Sequence, residues 1–247
     1  MSCLPRWMPI AAILLGLAGA LGAESPSPPP ALTLTAAQIV QEMEHRNELR
    51  LEELRRYTAR RHYEVSYKGF GARLDAKMEV EVVYDALSGK TFRIVSQSGS
   101  KLLTDKVLKR LIEAEKAASA DPSSCALAPS NYNFSLAGAE PVDGRPAYVL
   151  NVEPLTENKL LYRGRVWVDA ADFAVVKVDA RPARNPSAWI GNTRIYHTYA
   201  RTGGFWLPQE NRSESKIRIG GAAVLTIDYG AYQIQGDTLS AAALSAR

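Results

Sequence analysis

The sequence predicts a mainly β chain with helices, an α+β domain in which a curled antiparallel sheet of about ten or eleven strands forms an incomplete barrel and helices serve as lid or plug. Three observations lead there. Apolar and polar residues alternate with a period of two in segment after segment. Short turn signals such as Asp143-Gly144, Gly203-Gly204 and Gly220-Gly221 separate the segments, which suits hairpins and leaves no room for the helical crossovers of a parallel sheet. Helical periodicity is confined to two stretches of the domain. A wide sheet with one oily and one charged face curls and encloses the oily side.

Composition sets the outer bounds. The chain has 247 residues, 46% hydrophobic and 23% charged, which excludes intrinsic disorder and leaves room for one or two domains. Thirty basic against 26 acidic residues give a net charge of +4, without the dense basic runs of a nucleic-acid binder. Three His and two Cys are too few for zinc-ribbon, iron–sulfur or disulfide-rich scaffolds.

Taken in order, residues 1–23 have the pattern of a secretory signal peptide. Arg6 precedes an apolar stretch from Met8 to Ala23, whose core is shorter than the roughly 20 residues of a membrane span and ends in small residues. Leu17-Ala18-Gly19 is followed by Ala20 and not by a cysteine, so the expectation is a soluble exported protein that is not lipid-anchored. Removal of Cys3 with the signal leaves Cys125 alone, in a loop after a helix. Residues 24–34 are a Pro/Ser-rich linker. Residues 35–235 make a single domain, and 236–247 a C-terminal tail.

The domain opens with a capping box, Thr35 and Gln38, that starts a helix running to about Leu54, with Ile39, Val40, Met43, Leu51 and Leu54 as a narrow apolar stripe. From Tyr57 the period becomes two: Ala59, Arg61, Tyr63, Val65 and Tyr67 share one face. After a turn at Gly69 and Gly71, Leu74, Ala76, Met78, Val80, Val82 and Tyr84 alternate with charged residues. Phe92 and Ile94 continue the pattern. A second helix follows, with Thr104 expected as cap between Leu103 and Leu108, and Val107, Leu108, Leu111, Ile112 and Ala114 along one side up to Asp121-Pro122. Strands are expected near 131–138, 146–153, 160–169, 173–181, 193–201, 205–216 and 222–235.

Motifs for chemistry are sparse. Ser88-Gly89-Lys90-Thr91 has the letters of a phosphate loop, but its first glycine would fall at Tyr84 and a strand follows it, so it is a hairpin turn. No G-x-S-x-G stands in the sequence. His45, His62 and His197 have no metal-site spacing, and Asp169 and Asp172 bracket a tight turn. The expectation is a protein with no catalytic residues, no metal, no cofactor and no enzymatic activity. Trp167, Trp189, Trp206 and many of the 11 tyrosines fall in or beside strands, where core packing and cross-strand pairing account for them.

What remains is the oily interior. Tyr63, Val65, Tyr67, Met78, Val80, Val82, Phe92 and Ile94 are the candidate lining of a lipid-binding cavity, and Met43, Leu108, Leu111 and Ile112 the candidate lid-helix contacts. Each buried CH₂ of an acyl chain would contribute about 0.8 kcal/mol, so apolar contact alone could hold one.

The segments Tyr162–Ile190 (YRGRVWVDAADFAVVKVDARPARNPSAWI), Phe205–Ser215 (FWLPQENRSES) and Leu225–Tyr232 (LTIDYGAY) resemble outer-membrane lipoprotein-sorting proteins, distant relatives of the LolA/LolB lipoprotein carriers. The resemblance spans roughly Tyr57 to Ile234. It implies an incomplete barrel with helices as a lid, a periplasmic location, and a cavity for acyl chains of lipoproteins or lipids. The mild basic excess, with a sequence pI of about 9.0, suits transient contact with an anionic membrane surface or with membrane lipoprotein partners, and no nucleic-acid partner is expected. The resemblance also implies an arginine early in the domain that interacts with the lid; Arg55, Arg56, Arg60 and Arg61 stand in that region. The alternative is a periplasmic sensor or scaffold of the same fold that regulates a partner protein.

Overall fold

The computed structural model describes residues 34–235 except Pro186. The expected signal peptide, the linker up to residue 33 and the tail at 236–247 lie outside the described residues.

Helix α1 (Ala36–Glu53) begins at the expected capping box: the Gln38 amide N–H donates to Thr35 Oγ1 at 3.3 Å, and the Thr35 N–H donates to Gln38 Oε1 at 2.9 Å. Ile39, Val40 and Met43 are buried, but Leu51, expected in the same stripe, is exposed. At that end of the helix Arg50 makes the contact with the sheet, donating to the carbonyls of Asp172 and Phe173 at 2.9 and 3.4 Å.

Ten strands follow: β1 (Arg56–Gly69), β2 (Ala72–Asp85), β3 (Gly89–Gly99), β4 (Tyr132–Val142), β5 (Arg145–Pro154), β6 (Tyr162–Asp169), β7 (Val175–Pro182), β8 (Ile190–Thr202), β9 (Phe205–Ile217) and β10 (Ala222–Gln235). They form one antiparallel sheet in the order β3-β2-β1-β10-β9-β8-β7-β6-β5-β4, unclosed, with β3 and β4 as its two edges. The incomplete barrel expected from the alternation is therefore what the chain builds. Two meanders, β1–β3 and β4–β10, are joined where β10 returns to pair with β1, from Arg56↔Gln235 to Lys68↔Ala222. The turns obey their residues: Asp143 and Gly144 both take positive φ (50° and 77°), as a two-residue hairpin requires.

The segment from Ser100 to Asn131 runs from one edge strand to the other and carries the second helix, here called the strap helix. It comprises Lys101–Leu103, a π-helical turn Thr104–Leu108 and Lys109–Ala120. The expected cap at Thr104 is wrong. Ser100 is the cap, accepting from the Leu103 N–H, and Thr104 lies inside the helix with its hydroxyl donating to the Ser100 carbonyl at 3.1 Å. Gly99 ends β3 at φ 86° and turns the chain one turn earlier than the Leu-Thr pattern suggested. The π-turn has a packing consequence: it brings Leu103 and Leu108, five residues apart, onto the face that also carries Ile112.

Both helices lie on the same side of the sheet, as one row of register partners shows: Gln97, Met78, Tyr63, Ile227, Asn211, His197, Val178, Val166, Leu150 and Leu136, from β3 across to β4. Apart from Gln97 on the edge strand, the row is apolar on either flank and polar in its middle, at Asn211 and His197. Under the strap helix, Tyr63, Val65, Ala76, Met78, Val80 and Val82 pack on Leu103, Leu108 and Ile112. Under α1, Ile39, Val40 and Met43 pack on Tyr148, Leu150, Val152, Val166, Val168 and Val178.

Candidate functional site

The middle of the helix-covered face is where the sheet departs from ordinary core chemistry. Arg61 occupies an apolar register position of β1, between Ala59 and Tyr63, and is 1% exposed. Its Nη1 donates to Glu115 of the strap helix at 2.7 Å, and Lys90 of β3 donates to the other oxygen of Glu115 at 3.1 Å. Burial disfavours the guanidinium charge, but Glu115 more than offsets this and holds Arg61 above its ordinary value. Burial likewise pushes the Glu115 carboxyl up, and the Arg61 and Lys90 charges overcome it, so Glu115 stays below the usual carboxylate range. Of the four arginines the family resemblance pointed to, Arg61 is the buried one, and it contacts the covering helix.

An aromatic stack continues from it. The Arg61 guanidinium lies 4.7 Å from the Tyr229 ring centroid and 5.8 Å from that of Phe92. The Tyr229 ring stacks on His197 at 5.8 Å, and His197 stacks on Tyr199 at 4.5 Å. Tyr229 and His197 stand on β10 and β8, with β9 between them. In a flat sheet strands two apart are separated by about 9.6 Å, so the contact requires a sheet bent toward the helices. Burial and the Arg61 charge bring the His197 imidazole down to about 4, and its Nε2 is buried with no partner among the described residues. Burial pushes the Tyr199 phenol up to about 12 and Tyr229 further still. These rings keep part of their surface open to solvent even so. The middle of the face thus holds poorly hydrated groups between the two apolar flanks.

The rest of this middle region is mixed. β9 supplies Asn211, Ser213 and Ser215; β8 supplies Thr193 and Ile195; β10 supplies Leu225. Thr193 and Ser215 hydroxyls hydrogen-bond at 2.9 Å.

The residues expected to line a cavity divide. Tyr63, Val65, Met78, Val80 and Val82 are together on one face, fully buried, with the side chains of the strap helix packed on them; Tyr67 and Phe92 are partly buried at the margin of the same cluster. Ile94, in register with Val80, is exposed, because β3 is an edge strand and a bulge follows it. The expected lid residues belong to two helices: Met43 lies on α1 over the β4–β7 half, and Leu108, Leu111 and Ile112 on the strap helix over β1 and β2. An open cavity of about 880 Å³ lies elsewhere, with Asn151, Arg163, Asp179 and Arg194 on the face turned away from the helices. Sequence reasoning missed Glu115, Lys90, His197, Tyr199 and Tyr229 as a group. The one available signal was an arginine in an apolar register.

Other motifs resolve simply. Asp85 accepts the N–H groups of Leu87 and Ser88, so Ser88–Thr91 is a hairpin turn. Asp169 accepts from the Ala171 and Asp172 N–H groups and pairs with Arg145, the turn role expected of it. The Cys125 thiol is pushed up by burial.

No family model matches the sequence, and no curated protein does. The fold is similar to those of several solved structures. A DUF1329 family protein from Desulfovibrio piger matches at 12% identity and a TM-score of 0.41, over 85% of this chain and 98% of that one. A LolA superfamily protein from Nitrosomonas europaea matches at 13% identity and a TM-score of 0.37, over 82% and 94%. A domain described as an outer membrane lipoprotein-sorting protein, from Vibrio parahaemolyticus, matches at 14% identity and a TM-score of 0.39, over 85% and 95%.

Proposed function

We propose that this chain is a periplasmic carrier that takes up acyl chains of lipoproteins or lipids on the concave face of the sheet, beneath the strap helix. The observation that supports this most is the way the helix is held. It stands in the segment that joins the two edges of an unclosed sheet, covers a continuous oily surface on β1 and β2, and is held there by the ion cluster Arg61–Glu115–Lys90, whose arginine is buried. In the closed state the side chains of Leu103, Leu108 and Ile112 fill the place an acyl chain would take. Lifting the helix frees Tyr63, Val65, Met78, Val80 and Val82 as a binding surface, and the aromatic and polar middle of the same face is the proposed side of entry.

Native mass spectrometry and hydrogen exchange, run together on the full chain, test this. Incubation with a triacylated lipopeptide should give a one-to-one adduct and faster amide exchange in Lys101–Ala120, with α1 unchanged. Absence of the adduct, or an adduct that leaves the strap helix as protected as before, would reject the proposal.

A further inference from the structure

Exposed large apolar side chains gather at one end of the sheet. Phe70 (75% exposed), Leu102 (59%), Leu155 (50%), Trp189 (63%) and Ile219 (56%) come from five separate connections. The register places them all at the same end: Gly69↔Ala72, Ala222↔Lys216, Ile190↔Ile217, Pro154↔Tyr132 and Gly99↔Ala76 are the pairs that close the adjoining strands. The tips are tied to one another. The Phe70 ring packs against Gly220, where a Cβ would sit 2.8 Å from it; Tyr67 donates to the Gly220 carbonyl at 3.0 Å; and the Arg218 N–H donates to the Trp189 carbonyl at 2.8 Å.

Cations gather around the same tips. Lys68, Lys101, Lys159, Arg184, Lys216 and Arg218 surround these tips, all exposed, and none has a carboxylate within 4.0 Å among the described residues. Carboxylates at this end, Asp75 and Glu157, are already held by Arg73 and Arg163. An open cavity of about 870 Å³ lies there, with Lys159, Arg184 and Arg218 on its wall. The opposite end carries Asp85, Asp143, Asp169 and Asp172 in its turns, with Arg55, Arg56, Arg145 and Arg201 beside them.

We propose that this end of the sheet docks on an anionic lipid bilayer, with Phe70, Leu102, Leu155, Trp189 and Ile219 entering the interface and the surrounding lysines and arginines meeting the headgroup phosphates. The apolar tips are dispersed over five connections, and none of them lines the neighbouring cavity, so they form no shared apolar groove for a peptide. They do meet a flat, deformable surface, and an exposed tryptophan ringed by cations is the side-chain chemistry of an interfacial contact. The docked end is also where the strap helix begins, at Lys101 and Leu102, so contact with lipid falls next to the hinge of the cover. The docking surface stands on its own observations and does not require that the carrier reading be correct.

The test uses the full chain carrying Trp7→Phe, so that the N-terminal segment contributes no fluorescence. Vesicles are made with brominated lipids, either phosphatidylcholine alone or phosphatidylcholine with phosphatidylglycerol. Docking predicts quenching of Trp189 in the anionic vesicles, absent in the further variant Trp189→Phe. It also predicts a fall in partitioning on the order of 30-fold when Arg184→Gln and Arg218→Gln are combined. Leu87→Ser, at the opposite end and 97% exposed, should change nothing. No Trp189 quenching while the chain still sediments with vesicles would mean the N-terminal segment alone anchors it and would overturn the docking surface. So would equal quenching in neutral vesicles, an equal loss with Leu87→Ser, or binding to soluble polyglutamate without quenching, which would indicate an acidic protein partner.

Discussion

Glu115→Gln should cost this protein more stability than removing the arginine it neutralises. The Arg61 side chain is 2% exposed and that of Glu115 27%. Taking the charge from Glu115 leaves a buried guanidinium without a counter-ion, with a neutral amide oxygen in place of the carboxylate, a 3.4 Å contact to the Tyr63 hydroxyl and the faces of Tyr229 and Phe92. Breaking a buried pair from one side costs about 3–5 kcal/mol, and the partial exposure of Glu115 and the remaining cation–π contacts place this case near the lower end, about 3 kcal/mol. Arg61→Met differs in kind. It removes the buried charge, keeps most of the volume, and leaves Glu115 paired with Lys90, so its expected cost is within about 1 kcal/mol. Urea unfolding followed by far-UV circular dichroism reads both: at a slope of about 2 kcal/mol/M, Glu115→Gln lowers the midpoint by about 1.5 M and Arg61→Met by less than about 0.5 M. The Glu115 carboxyl is held low in the fold, so its contribution is full above the unfolded carboxylate value and fades as pH falls through the folded one. The gap between wild type and Glu115→Gln should therefore close in acid. Arg61→Met costing as much as Glu115→Gln, or a gap independent of pH, would refute the reasoning.

Three more expectations follow from the same structure. His197 is held neutral down to about 4, so its contribution is complete above about 6.5, its unfolded value, and is lost as pH drops from there toward 4; His197→Phe should flatten the stability profile across that window by up to about 3 kcal/mol, and an unchanged profile would show that the ring is already hydrated. Met78→Asp and Val80→Asp place a carboxylate under the strap helix and should each cost more than about 4 kcal/mol in thermal or urea melts, while Val83→Asp, on the opposite face of β2, should cost about 1; equal losses at all three would mean the register is misassigned. At Gly164, φ is 153° and a Cβ would come within 2.4 Å of the Asp179 carbonyl, so Gly164→Ala should lower stability by more than about 2 kcal/mol, and a melt matching wild type would show that β6 and β7 can separate freely there.

Where local chemistry decides the structure, the sequence showed it. The alternation Leu74–Tyr84 became β2 with the expected face buried, and Thr35 with Gln38 became the cap of α1. Long-range features left no such mark. Nothing local says that β10 pairs with β1, since the pairing joins segments near opposite ends of the domain. The stack of Tyr229, His197 and Tyr199 depends on how far the sheet bends over β9, and strand periodicity does not encode curvature. The oily residues of β1 and β2 were identified correctly as a face, but a pattern of apolar positions cannot tell whether a helix or a guest will rest on it. Leu51 and Ile94 both repeat the period of a buried stripe and are exposed, Ile94 because it stands on an edge strand beside a bulge, which periodicity does not encode.

The pairing of β1 with β10 also sets the order in which the chain can assemble. Each meander closes through neighbouring hairpins, whose loops are short and entropically cheap. The junction between them must wait until the last strand exists, because the second edge of β1, at Tyr57 for example, is completed by Ile234 of β10. Kinetically this is a zipper closed at the end: two half-sheets ripen separately and then seal. Substitutions along that seam, at Val65 or Leu225, should spare the early phase of refolding and slow the final one, and a polypeptide halted before β10 leaves both half-sheets with an open edge.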